Sequence, residues 1–211
     1  MIDAAELDRH LPLIAIIRGV TPDSVIEVAT VLIDEGFTML EVPLNSPDAL
    51  TSIKMLVETF GAQYLIGAGT VTNPEQAQQV IETGANLVVT PNFNQQVVKM
   101  SVAAGCATFP GVVTPTEAFQ ALAAGATGLK LFPVSILGLD GFKALKSVLP
   151  AATRCYPVGG IAPRIESMSP FVQAGADGFG LGSALYKPSM SLQQIRQNAC
   201  DYVTSFKALK R

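Results

Sequence analysis

At 211 residues, 49% apolar and 15% charged, the chain has the length and composition of one well-buried globular domain and not of a disordered segment. A net charge of −3 with no basic run argues against nucleic acid as a partner, and no apolar stretch reaches the ~18 residues of a membrane span. A single histidine, His10, and three widely separated cysteines, Cys106, Cys155 and Cys200, exclude a histidine-built metal site and predict reduced thiols.

The N-terminus, Met1-Ile2-Asp3-Ala4-Ala5-Glu6, is acidic and lacks a signal-peptide layout, so the cytoplasm is the expected location. From there a repeat organises the chain. Gly36, Gly84, Gly105, Gly125 and Gly175 each stand where a helix would end in the left-handed conformation, with a strand-like run a few residues on. Prolines 22, 47, 74, 115 and 163 follow small or polar residues and mark helix starts. Thr72-Asn73-Pro74-Glu75 and Thr114-Pro115-Thr116-Glu117 both have capping-box form, of which one alignment per helix can hold. Eight strand candidates lie near residues 13–18, 38–43, 64–69, 86–90, 107–110, 127–132, 154–158 and 178–182, with a last helix over about 192–209. Eight strand–helix units over residues 1–211 predict a single-domain α/β fold, a (β/α)8 TIM barrel. An open doubly wound sheet is the alternative, and the uniform glycine spacing favours the barrel.

Barrel sites lie at the C-terminal strand ends. In chain order those ends carry Arg18, Glu41, Gly69-Thr70, Thr90-Pro91, Lys130, Gly159-Gly160 and Gly182-Ser183. Glu41 and Lys130 are charges inside apolar runs, and each falls five residues past its aligned glycine. Side chains alternate faces with period two, so equal offset predicts equal facing, toward the barrel interior. A buried lysine sheds its proton and becomes a nucleophile for a ketone; a buried carboxyl, tuned upward, moves protons. Arg18 would grip a carboxylate with two parallel hydrogen bonds. A snorkelling lysine or a structural ion pair are the plainer readings of the same residues. Thr70 reads either as a carboxylate ligand or as a helix N-cap alongside Thr72. The glycine pairs after strands seven and eight sit where barrels hold phosphate on backbone N–H groups.

Over nearly its whole length the chain resembles the class I aldolases acting on 2-keto-3-deoxy-6-phospho sugar acids. The most specific pieces are Glu41-Val42-Pro43-Leu44-Asn45-Ser46-Pro47, Ile66-Gly67-Ala68-Gly69-Thr70-Val71 and Leu129-Lys130-Leu131-Phe132-Pro133. The resemblance implies a Schiff-base lysine at Lys130 and a proton shuttle at Glu41. It implies carboxylate binding by Arg18 and Thr70, and substrate packing by Phe132 and Pro91. Phosphate would go to Gly159, Gly160, Gly182 and Ser183. It further implies a phosphorylated sugar acid as partner, a homotrimer, and neither metal nor cofactor. Leu44-Asn45-Ser46-Pro47 and Val158 resemble the subgroup acting on the galactonate-derived acid; the gluconate-specific enzymes typically have threonine where Val158 stands. A zinc-dependent aldolase, a thiamine-phosphate synthase-like barrel and a non-catalytic sugar-phosphate sensor are the competing readings.

Overall fold

A computed structural model describes residues 4–209; the reading of Met1 to Asp3 lies outside the described residues. Helices and parallel strands alternate from α1 (Ala4–Leu7) to the C-terminal helix α9 (Leu192–Leu209). The strands are β1 (Leu13–Ile16), β2 (Met39–Pro43), β3 (Leu65–Gly69), β4 (Leu87–Val89), β5 (Ala107–Phe109), β6 (Gly111–Val112), β7 (Leu129–Leu131), β8 (Cys155–Pro157) and β9 (Phe179–Leu181). They form two parallel sheets, β5-β4-β3-β2-β1-β9 and β6-β7-β8.

The fifth sequence-predicted strand is realised in two pieces. Pro110 has no N–H to give the ladder, so the run breaks there into β5 on the first sheet and β6 on the second. Its carbonyl still accepts from the Lys130 N–H at 2.9 Å, and the Thr108 carbonyl accepts from the Thr127 N–H at 2.9 Å. At the opposite seam a single parallel bridge joins Val158 to Gly180, and the Asp177 N–H donates to the Cys155 carbonyl at 3.0 Å. The sheet is therefore strongly curled, with Phe109 and Tyr156 in edge contact across its concave side, 4.9 Å between centroids.

Period-two alternation divides the core in two. Ala15, Leu40, Val88, Leu129 and Leu131 face the helices, while Ile14, Met39, Leu65, Leu87, Val89 and Phe109 form a separate cluster on the concave side, capped by Leu7 of α1. All five repeat glycines take positive φ, from 82° to 105°, as their positions after helix ends require. Behind four of them the chain closes six-residue turns, for example Phe37 N–H to Leu32 O at 3.0 Å.

The helix starts follow the sequence in part. Pro22, Pro74 and Pro115 open α2 (Pro22–Asp34), α4 (Pro74–Glu82) and α6 (Pro115–Ala123). Pro47 and Pro163 instead lie just outside α3 (Ala49–Phe60) and α8 (Ile165–Gln173), whose caps are Asp48 and Arg164. The capping box forms at Thr114 and Glu117. At α4 it does not: Asn73 caps the helix by accepting from the Gln76 N–H, so neither Thr70 nor Thr72 is its N-cap.

Candidate active site

Glu41 sits mid-strand in β2 and Lys130 mid-strand in β7. Glu41 is two residues from Met39, and Lys130 pairs in register with Tyr156; Met39 and Tyr156 both belong to the concave cluster. Both charged side chains therefore face the concave side, as their common offset from the repeat glycines predicted. Glu41 is 1% exposed and Lys130 5%. They make no direct ion pair; each acts on the other through the low-dielectric space between them.

Burial dominates the electrostatics of both. It pushes the Glu41 carboxyl up to about 7, with the Lys130 and Arg18 charges pulling the other way. It also lowers the Lys130 amine; Glu41 opposes that shift and Arg18 adds to it. One Glu41 oxygen, Oε2, is buried with no hydrogen-bond partner. The carboxylate lies over Gly69 of β3, where a Cβ would come within 1.7 Å of Oε2. Gly69 is thus a positioning residue that spacing alone did not single out. The signal available was two glycines, Gly67 and Gly69, on one face of a strand, a mark of close approach: the Leu87 backbone comes against Gly67 and the Glu41 carboxylate against Gly69.

Above this pair, at the C-terminal strand ends, opens a cavity of about 590 Å³. Arg18, Phe132, Val158, Gly159, Gly160, Gly182 and Ser183 line it; Glu41, Lys130, Thr70 and Pro91 do not. Two residues join the layers. Phe132 lines the cavity and holds its ring centroid 4.7 Å from the Lys130 Nζ. Arg18 lines the cavity and its charge reaches both buried groups. Its Nη1 donates to Asn45 Oδ1, and the neighbouring Gly19 N–H donates to the Ser46 hydroxyl at 2.8 Å. Asn45 and Ser46, quoted above only within a motif, thereby brace the loop that carries Arg18.

Thr70 follows Gly69 directly and takes φ 59°, a left-handed conformation that costs a β-branched residue roughly 1–3 kcal/mol. Pro91 is half-buried away from the cavity, with Gly111 of β6 packed against its carbonyl. Val158 is 6% exposed and its methyls cover Gly180. Gly159 and Gly160 have φ 108° and 76°, and among the described residues no acceptor takes the N–H of Gly160 or of Ser183. Among the described residues no group of three His, Cys, Asp or Glu is arranged to hold a metal.

Parallel strands with a buried acid–base pair and an open cavity at their C-terminal ends define the class, an α/β enzyme. The chain belongs to the KDPG and KHG aldolase family, whose model matches residues 5–204. It is 44% identical over 197 residues to the 2-dehydro-3-deoxy-6-phosphogalactonate aldolase of Escherichia coli K12, covering 93% of this chain and 95% of that one. A solved native KDPGal structure superposes with a TM-score of 0.92 at 44% identity, over 95% and 96% of the two chains. The KDPG aldolase of Legionella pneumophila, solved with pyruvate captured at low pH as a covalent carbinolamine, matches at TM-score 0.77 and 25% identity, over 97% of this chain and 96% of that one.

Proposed function

We propose that the protein is a class I aldolase that cleaves 2-dehydro-3-deoxy-6-phosphogalactonate to pyruvate and D-glyceraldehyde 3-phosphate through an imine on Lys130. One observation carries it: an amine and a carboxyl, both buried on one concave face, whose surroundings drive the amine toward its neutral form and the carboxyl toward neutral pH. The relatives' named activities and the carbinolamine captured in the Legionella enzyme support the same chemistry.

Neutral Lys130 adds to the C2 ketone, and loss of water leaves a protonated imine that draws electrons from the C3–C4 bond. Glu41, through a water, takes the C4 hydroxyl proton as that bond breaks. Glyceraldehyde 3-phosphate departs, the enamine gains a proton at C3 with the help of Glu41, and hydrolysis frees pyruvate. Arg18 and Thr70 hold the carboxylate; Phe132 and Pro91 pack against the three-carbon unit. Gly159, Gly160, Gly182 and Ser183 take the phosphate on backbone N–H groups. Val158 offers no hydroxyl to the sugar, which supports the galactonate-derived acid over the gluconate-derived one, a choice that a single contact shifts by only ~1–3 kcal/mol.

The nine strand segments act as the eight strands of a closed (β/α)8 barrel in one domain; the Val158–Gly180 bridge and the Lys130–Pro110 hydrogen bond support closure at the two seams. The active unit is a homotrimer in the cytoplasm. The three free cysteines accord with that location.

Borohydride reduction in the presence of pyruvate, followed by peptide mass mapping, tests the imine. A stable adduct on Lys130, lost in Lys130→Met, is the expected result; labelling elsewhere, or none, would refute it. The ratio of kcat/KM for the two epimeric acids tests the substrate.

A further inference from the structure

The cavity carries a second cation that the roles above do not use. Of its lining residues only Arg18 and Lys187 are charged; no carboxylate lines it, although the whole chain is net negative. The Lys187 side chain makes no hydrogen bond or ion pair with any described residue. Its backbone, in contrast, is tied down on both sides. Before it, Tyr186 is buried and donates its N–H to the Gly182 carbonyl at 3.0 Å, which locks the segment to the loop after β9. After it, Pro188 packs on Gly19, where a Cβ would meet the proline Cγ at 2.8 Å. A solvated, unpaired ammonium is thus held in the same loop as Ser183, in the lining of a cavity to which Gly160 and Ser183 also contribute, and among the described residues no acceptor takes the N–H of either.

We propose that Lys187 is a phosphate-specificity residue: its ammonium completes the site formed by Gly160, Gly182 and Ser183 and neutralises the phosphate dianion, while Arg18 serves the carboxylate. This rests on the aldolase reading for the substrate's identity, but not for the binding of phosphate itself. A substrate with two anionic ends then meets two cations in one cavity, Arg18, whose charge reaches the buried pair, and Lys187 in the loop after β9. Backbone N–H groups and a neutral serine bring no net charge, so without Lys187 a dianion in this cavity would have only Arg18 to balance it.

The test compares the wild type with Lys187→Met and Lys187→Arg, each first checked for unchanged circular dichroism, which an exposed position permits. Binding of inorganic phosphate is measured by titration calorimetry, and kcat and KM are measured for the phosphorylated sugar acid and for the same acid lacking phosphate. The expected result in Lys187→Met is affinity for inorganic phosphate and KM for the phosphorylated acid both weakened on the order of tenfold, one charge-assisted contact. KM for the unphosphorylated acid and kcat would change less than about twofold, and Lys187→Arg would restore most of the loss. Unchanged phosphate affinity in Lys187→Met, or an equal loss on both acids, would overturn the proposal. Failure of borohydride trapping in the wild type would instead refute the aldolase reading and leave the calorimetric result standing.

Discussion

At the scale of single residues, the site depends on what stands opposite each charge as much as on the charges. Glu41 occupies its place because Gly69 has no Cβ. Replacing Gly69 by Ala would put a methyl inside the carboxylate's volume and swing the acid away from its working position without touching Lys130. The expected outcome is a fall in kcat of about a hundredfold, the usual scale of a displaced general acid–base. Borohydride trapping of pyruvate on Lys130 should persist in the same variant. A Gly69→Ala enzyme with wild-type kcat would show that the carboxylate is not held by this contact. Legibility followed the same line. Glu41 and Lys130 could be read from the sequence because a charge in an apolar run is conspicuous and the repeat glycines give a common frame for its facing. Gly69, Asn45 and Lys187 could not, because their roles arise between segments whose register and approach no local pattern encodes.

Among the secondary-structure elements, the helix ends were the most legible feature, and the reason is chemical. A glycine after the last turn and a proline at the first turn each relieve a specific steric or hydrogen-bonding problem, so they recur. Pro47 and Pro163 misled because proline is equally at home in the turns and bends ahead of a cap. The α6 start is the best-formed cap. Thr114 Oγ1 accepts from the Glu117 N–H, while Glu117 accepts from the N–H groups of Val113 and Thr114 at 2.9 Å, with the Val113 bond the main cause of its lowered pKa. Thr114→Ala removes one half of this box and is expected to lower unfolding free energy by about 1 kcal/mol with no change in KM. Urea denaturation at pH 7 measures it; a shift under a few tenths of a kcal/mol would mean that the cap is replaced by water at no loss. The break of strand five at Pro110 was less legible. A proline can end a strand or merely interrupt it, and only the pairing on either side decides which.

For the whole molecule, the buried pair is a standing cost to stability that only function explains. A carboxyl raised from 4.5 to about 7 binds its proton more tightly in the folded state than in the unfolded one. Folded molecules therefore hold more protons than unfolded ones between those two values, and stability falls as pH rises across that window. Below pH 4.5 the acid is neutral in both states and the penalty vanishes; above about 7 it is fully present, on the order of 3 kcal/mol. Glu41→Gln keeps the shape of the protonated acid and carries no charge at any pH. The variant should accordingly match the wild type in denaturation midpoint near pH 4.5, gain on it progressively through pH 6, and hold a constant advantage above pH 8, while losing turnover throughout. Paired chemical denaturation curves at pH 5 and pH 8 are enough to see the divergence. If the two proteins ran parallel across that range, the carboxyl would be titrating near its solution value, and the claim that burial governs this site would fall with it.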